Sequence, residues 1–394
     1  MAKKEKDAFW QIIRGICILA VIMIHCPNGL AYPESSADYY TWVLVRQFIN
    51  FPVAIFIFLS GYFTNSEKVK TAYKDYLIRR GLVRLFIPFL IWSILYTFYN
   101  NLILMLKGEP INWAGSLLRI AVGKAATPFY YILVLLQLLI LTPLFLRFLE
   151  KRMTCIPYLL SAAYLVFLYI YVCSKGQMPP LYATVFLPWA GFYMLGIQCR
   201  QKDKIKITLS GYIVYILPAL MIILELAEAF VLKNLMNLFK LQVPVDFVCS
   251  QLRVSSYLYA AALILLFIAK HRFNAGKTIH DLPEHNNISN NSNNNSYSNN
   301  NINSNLESQS LNGEKCSVLA YIGNRSYGLF YIHCMIINML KAFLSRTLVA
   351  DSFLAYFLTV FVLALIISLL IIEVVRKAAS AAGKEDWLKY IGFN

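Results

Sequence analysis

An arginine and a histidine stand in the first apolar segment of the chain, where ionisable side chains are uncommon. Arg14 and His25 are eleven residues apart, which on an α-helix is about 1100° of rotation, roughly 20° beyond three full turns. The two side chains are therefore expected on one face of the helix, separated along its axis by roughly 16 Å. Ionisable groups in hydrocarbon are costly unless they are paired or hydrated, so this polar stripe is the first place to look for chemistry.

His25 is the candidate for proton transfer. The ordinary pKa of an imidazole is roughly 6.5, so at physiological pH it can take a proton from an alcohol and act as a general base. A structural role is the alternative. Arg14 would then extend to the lipid headgroups, and His25 would only hydrogen-bond a neighbouring helix.

A second histidine lies in a later apolar segment, at the end of the run Ser-Tyr-Gly-Leu-Phe-Tyr-Ile-His. His333 follows Ser326 by seven residues and Tyr327 by six. Seven residues are close to two helical turns, so Ser326 and His333 are expected to face alike. Taken alone, this pattern favours a hydrogen bond between packed helices over catalysis.

A basic cluster follows the second apolar segment. The pair Ser60-Gly61 ends that segment and is typical of close helix packing. Arg79, Arg80 and Arg84 then precede the third segment, where arginines usually set orientation. Guanidinium groups also bind phosphates through charge-assisted hydrogen bonds. The three arginines are therefore candidates to hold a phosphorylated donor from the cytosol.

The composition places these residues in a membrane. The chain is 59% hydrophobic and 14% charged, whereas soluble domains are about 25% charged. Continuous apolar runs of membrane-spanning length disfavour a β-barrel and predict an all-α polytopic helical bundle with about ten transmembrane helices. The predicted spans are Ile12 to Tyr32, Val43 to Phe63, Leu85 to Leu106, Phe129 to Leu149, Cys155 to Cys173, Leu181 to Cys199, Leu209 to Glu228, Val254 to Ala269, Ser326 to Leu344 and Phe353 to Val375.

The distribution of basic residues predicts the orientation. With ten spans, most Lys and Arg fall in loops on the same side of the membrane as the N-terminal segment. Because basic residues accumulate on the cytoplasmic side, the N- and C-termini are expected in the cytoplasm. The net charge of +16 is explained by this topology and by anionic lipid, so no nucleic-acid partner is expected. No removable signal peptide is expected either, because the first apolar run is too long and lacks a cleavage site.

The chain divides into two blocks of helices and a linker. Residues 1–272 hold the first eight helices, 273–316 form a cytoplasmic Asn-rich disordered linker, and 317–394 hold the last two helices and a tail. His271, His280 and His285 flank the linker, yet no metal site is expected. No cysteine or serine stands out as a nucleophile beside a base. Glu225 and Glu228 share a helix face, where they either bind acceptor hydroxyls or mark the interface, and we favour the interface.

Together these motifs resemble the acyltransferase-3 family of integral membrane acyltransferases. The resemblance rests on Arg14 with His25, on the run Phe-Leu-Ser-Gly-Tyr, on the Arg-rich stretch before Pro88, and on the late Ser-Tyr-x-x-x-Tyr-x-His. It covers nearly all the chain except the Asn-rich linker. One departure concerns the third helix, where the family often has Arg-x-x-Arg. Arg84 fits that pattern, but Gly81 stands in the first position and Arg80 is displaced by one.

The resemblance implies an O-acyltransferase of the bacterial cytoplasmic membrane. His25 would be the catalytic histidine and Arg14 its essential partner, with Ser60, Tyr327 and His333 as possible supporting residues. The donor would be cytosolic acyl-CoA, most simply acetyl-CoA, with no bound cofactor. The acceptor would be a hydroxyl of an extracytoplasmic glycan or lipid-linked sugar. Whether the histidine carries the acyl group or deprotonates the acceptor stays open. The rival hypothesis is a secondary transporter or a lipid-linked glycan flippase.

Overall fold

The computed structural model describes residues 7–26, 32–33, 36–201, 211–238, 243–280, 317–344 and 352–393. Within these ranges the chain forms helices and no strands, as predicted. The helices are α1 (Ala8–His25), α2 (Ala37–Phe48), α3 (Pro52–Tyr62), α4 (Ser66–Thr71), α5 (Tyr73–Tyr76), α6 (Ile87–Leu106), α7 (Trp113–Ala121), α8 (Tyr130–Ile140), α9 (Thr142–Glu150), α10 (Cys155–Lys175), α11 (Ala190–Gln201), α12 (Gly211–Leu238), α13 (Val245–Val248), α14 (Val254–His280), α15 (Val318–Asn324), α16 (Ser326–Leu344), α17 (Phe353–Ala381) and α18 (Leu388–Ile391).

Eight helical stretches of the described residues are long and apolar enough to cross a membrane, and a ninth is gained if α8 and α9 count as one span bent by 50°. This confirms a polytopic helical membrane protein. The predicted span from Leu181 to Cys199 is the one that falls short, because α11 has 12 residues and rises only roughly 18 Å. Most of its side chains are buried against protein. Its apolar sequence therefore reflects the core of the bundle and not contact with lipid.

Local sequence explains where several helices begin and break. Asp7 accepts a hydrogen bond from the backbone N–H of Phe9 at 3.0 Å and caps α1. The second predicted span is divided between α2 and α3, and Pro52 occupies the first turn of α3, a position that tolerates its missing N–H. Next to this break, Gln47 and Asn50 are buried polar side chains that bond to other helices.

The basic cluster lies on an unusual helix. Leu77–Phe86 is a π-helical segment between α5 and α6. Wide helical turns of this type are rare and occur often at functional sites. The segment presents Arg79 and Arg84 as exposed side chains. It therefore places the predicted donor-binding arginines on an irregular backbone at one end of the bundle.

The helices that carry the candidate residues are central ones. In the best membrane-length window, 50% of α1, 61% of Ala37–Tyr62 and 56% of α16 is buried, against 22% of α17. Close approach explains part of this burial, since a Cβ at Gly15 or at Gly323 would collide with the backbone carbonyl of the facing helix. The histidines are thus held by helices packed against protein on most sides, whereas α17 faces lipid.

The last boundary concerns the predicted linker. Helix α14 continues to His280, beyond residue 272, where the linker was expected to begin. The remainder of the linker, 281–316, lies outside the described residues, and so does His285.

Candidate active site

Helix α1 connects two clusters of polar side chains. His25 is its last residue and faces α16, where the ring centroids of His25 and His333 are 5.3 Å apart. Arg14 lies toward the other end of the helix, with its guanidinium 5.2 Å from the centre of the Phe63 ring. We call these the His25 end and the Arg14 end. The sequence predicted both positions on α1, and the structure adds the partner of each.

His333 is held in one orientation. Its ring is fully buried, and its Nδ1 lies 2.8 Å from the carbonyl oxygen of Leu329. A carbonyl only accepts, so Nδ1 carries the proton and Nε2 of the neutral ring offers a lone pair. That lone pair accepts from the Cys334 thiol, whose sulfur is 3.3 Å from Nε2. The contact fixes His333 with its acceptor nitrogen beside the residues of the His25 end.

Cys334 was not anticipated as a neighbour of a base. No thiol with an adjacent base was expected, because the cysteines show no informative spacing in the sequence. In the structure the helical geometry of α16 brings the Cys334 sulfur to His333 directly. The available signal was adjacency in the sequence, since Cys334 follows His333 immediately.

The same three residues could hold a metal ion. One ring nitrogen each of His25 and His333 and the sulfur of Cys334 all lie within 4.8 Å of one another. Imidazole and thiolate ligands are those that zinc and copper prefer. The prediction of no metal site therefore stays untested by the described geometry, and metal removal tests it.

Two cations complete the His25 end. Arg46 of α2 and Lys341 of α16 both lie close enough to interact electrostatically with His25. One guanidinium nitrogen of Arg46 donates to the Cys249 carbonyl at 2.7 Å, and another is buried with no hydrogen-bond partner among the described residues. Neither cation was singled out from the sequence, although Arg46 stands within a predicted span. Positive charge and free N–H groups suit an oxygen that becomes negative during a reaction.

The Arg14 end combines cations with aromatic rings. Arg14 interacts electrostatically with Arg80 and with Tyr131. Arg80 donates to the Phe63 carbonyl at 3.0 Å and to the Tyr76 hydroxyl at 3.1 Å. The structure therefore brings Arg80 of the predicted cluster next to Arg14. Two guanidinium groups packed on neighbouring aromatic rings form a positively charged site that favours binding of an anion.

The other predicted residues occupy different surroundings. Arg79 and Arg84 are exposed, and the backbone carbonyl of Arg84 accepts a hydrogen bond from the Tyr327 hydroxyl. The Tyr327 and Tyr331 hydroxyls are 3.0 Å apart. Tyr327 therefore joins α16 to the π-helical segment and is not a neighbour of His25.

Ser60 belongs to a packing contact. Its carbonyl oxygen accepts from the Thr64 hydroxyl at 3.0 Å. A Cβ at the adjacent Gly61 would collide with the backbone oxygen of Tyr193 in α11. The expectation that a Ser-Gly pair marks close helix packing is thus met at Gly61.

The expectation for the acidic pair of α12 was wrong. Glu225 is fully buried and accepts from Arg253 at 3.1 Å, while Glu228 accepts from the same guanidinium at 3.4 Å. Gln47 and Ser256 bond to this group as well. The two carboxylates lie inside the bundle, where they pair with Arg253, and do not mark the membrane interface. The sequence did not reveal this pairing, because Arg253 stands in a later segment of the chain.

A bundle of apolar helices in which two imidazoles meet beside two cations defines a multi-pass membrane protein with a histidine-centred site. Residues 7–373 match the family model described as an acyltransferase domain. The chain therefore belongs to the acyltransferase-3 family and is a membrane acyltransferase that uses an acyl donor. In the same comparisons, neither the curated proteins nor the solved structures gave a match.

Proposed function

We propose that the chain transfers an acyl group, most simply acetyl, from cytosolic acyl-CoA at the Arg14 end to a hydroxyl of an extracytoplasmic glycan or lipid-linked sugar at the His25 end. The observation that carries the proposal is the pair of imidazoles, with ring centroids 5.3 Å apart, one of which stands on the helix that also carries Arg14. This arrangement separates donor binding from chemistry along α1.

The orientation follows from charge. The Arg14 end includes Arg79, Arg80, Arg84 and, over the Tyr62 ring at 5.8 Å, Arg200. Basic residues accumulate on the cytoplasmic side of membrane proteins. The Arg14 end and both termini are therefore assigned to the cytoplasm. The membrane is proposed to be the cytoplasmic membrane of a bacterial cell. Acyl-CoA, a cytosolic anion, would meet this end first.

The donor is held by charge. Coenzyme A carries phosphate groups, which guanidinium groups bind through charge-assisted hydrogen bonds. Arg80 has a fixed position from its contacts with Phe63 and Tyr76, while Arg79 and Arg84 are exposed and free to move toward a ligand. Arg14, deeper along α1, would contact the donor between its phosphates and the thioester, which would extend toward His25.

Chemistry takes place at the His25 end. His25 accepts the proton of the acceptor hydroxyl as its oxygen attacks the thioester carbonyl. The carbon–sulfur bond then breaks, the proton passes from the imidazolium to the departing thiolate, and the products are an ester and free coenzyme A. The anionic tetrahedral intermediate would be stabilised by the positive charge of Arg46 and Lys341. His333, locked by Leu329, keeps the His25 ring in place.

Consumption of acetyl-CoA by membranes that contain the protein tests this function. The His25→Ala variant should lose thiol release from acetyl-CoA by roughly 100-fold or more. His271→Ala is the matched control, because His271 pairs with Asp7 at 2.7 Å and takes no part in the site. A transporter or flippase would leave acetyl-CoA unconsumed. Wild-type membranes without turnover, or a fully active His25→Ala variant, would overturn the proposal.

A further inference from the structure

A cavity lies away from the paired histidines. It has a volume of about 430 Å³ and lies between α2, α12 and α13. Tyr39 and Tyr40 line it from the start of α2, and Lys233 lines it from the last turns of α12. The start of α2 follows the end of α1 in the chain, so the cavity belongs to the His25 end of the bundle.

The cavity contains an unusual cation. The Lys233 nitrogen lies 4.6 Å from the ring centre of Tyr39 and 4.4 Å from that of Tyr40. It is buried and has no hydrogen-bond partner within the part of the chain that the structure describes. An ammonium group carries three N–H donors. Two aromatic faces stabilise its charge but leave those donors unused, so the site favours an anionic ligand.

The cavity also has an apolar flank. Leu44 and Phe230 line it, and they are 46% and 71% exposed. Exposed apolar side chains on a membrane-spanning bundle face lipid chains. The ligand that fits both halves is one with an anionic head and a hydrocarbon tail. Aromatic rings and lysine at the end of a membrane helix also place the head at the depth of lipid headgroups.

We propose that this cavity binds a phosphate-bearing membrane lipid, with the phosphate at Lys233 and the hydrocarbon along Leu44 and Phe230. The lysine ammonium is a compact charge, and its N–H groups can donate hydrogen bonds to phosphate oxygens from several directions. Tyr39 and Tyr40 hold the ammonium toward the cavity.

The position of the cavity relates it to the catalytic end. Gln47 lines the cavity and accepts from the buried Arg253. The preceding residue, Arg46, acts electrostatically on His25. Helix α2 thus carries both a residue that lines the cavity and a residue that acts on the histidine site. If the proposed acyl transfer is correct, a sugar attached to such a lipid phosphate would be delivered beside His25. Binding of the lipid itself does not depend on that function.

Native mass spectrometry of the full-length protein tests the binding. The probes are phosphatidylglycerol, which carries a phosphate, and dioleoylglycerol, which has the same kind of tails without one. Lys233→Gln should weaken phosphatidylglycerol binding roughly tenfold, since a charge-assisted hydrogen bond is lost. Binding of dioleoylglycerol should stay unchanged. The control is Lys107→Gln, an exposed lysine after α6, which should behave as wild type.

Two further variants keep the proposal testable if Lys233→Gln folds poorly. Lys233→Arg keeps the charge and should retain binding, whereas Leu44→Trp should fill the apolar flank and reduce it. Equal phosphatidylglycerol binding by wild type and Lys233→Gln would overturn the proposal. Displacement of the lipid by an equal concentration of inorganic phosphate would also overturn it, because the site would then select the anion without the tail. Acetyl-CoA turnover is not a readout of these binding measurements.

Discussion

Arg14 and Arg253 are both arginines inside the helical bundle, and their surroundings differ in one respect. Arg253 is fully buried and is paired with two carboxylates and an amide. Arg14 lies against the Phe63 ring and interacts electrostatically with Arg80. In the described residues no carboxylate pairs with Arg14. A guanidinium paired with carboxylates inside the bundle supports the fold, whereas one beside another cation is suited to bind an anion.

The comparison predicts that the same substitution has different effects at the two positions. Arg14→Met should reduce acetyl-CoA turnover by roughly 100-fold or more, because a charge that faces the reacting donor is lost. The thermal midpoint of unfolding should change little, since a cation–π contact contributes only about 0.5–2 kcal/mol. Turnover and thermal unfolding are to be measured on the same purified sample. Loss of folded protein in this variant would place Arg14 with Arg253 as a structural residue.

Arg253→Met should mainly affect stability. Removal of one partner of a buried ion pair leaves Glu225 uncompensated and lowers the free energy of unfolding by about 3–5 kcal/mol. Turnover per folded molecule should be retained. The double variant Arg253→Met with Glu225→Gln should recover part of the stability, because the unpaired charge is removed. A normal thermal midpoint for Arg253→Met would show that the pair contributes little.

A smaller effect is expected in the arginine cluster that precedes α6. Arg80→Met should raise the KM for acetyl-CoA roughly tenfold, and Arg79→Met about threefold, because only Arg80 is held beside Arg14. The KM should also rise with ionic strength. The control is Lys70→Met, which breaks the exposed ion pair with Glu150 at 2.6 Å and should leave the KM unchanged. Equal KM values for all variants would remove these arginines from the donor site.

The smallest effect concerns the three side chains that could hold a metal ion, His25, His333 and Cys334. If His25 is a free base, a strong chelator should leave turnover within about twofold of its starting value, and so should Cys334→Ser. Metal content of the purified protein is measured in parallel by elemental analysis. Stoichiometric zinc or copper, with activity lost on chelation, would instead identify His25, His333 and Cys334 as a metal site.

The sequence predicted the fold better than the partners within it. Continuous apolar runs predicted nearly all the spans, because a helix that crosses the lipid needs an apolar sequence of spanning length whatever its tertiary contacts are. The exception was α11, whose apolar residues are buried by other helices. Likewise, His25 and Arg14 were found as ionisable residues in one span, and this needed only their types and spacing.

The contacts across the bundle were beyond the sequence. Glu225 and Glu228 resembled interface residues until the structure placed Arg253 beside them. Arg46 was overlooked in a span whose apolar residues dominated the pattern, although an arginine there was itself a signal. The partnership of His25 with His333 required the packing of α1 on α16. Helix periodicity orders residues along one helix and contains no information on which helices meet.

The most direct test of the account is the amount of alkali-labile acetate on cell-surface glycans from cells that produce the protein. It is to be compared for wild type, His25→Ala and His271→Ala at equal levels in the membrane, and for cells without the protein. We expect acetate with wild type and His271→Ala, and the background level with His25→Ala. Acetylation by His25→Ala equal to wild type would contradict it.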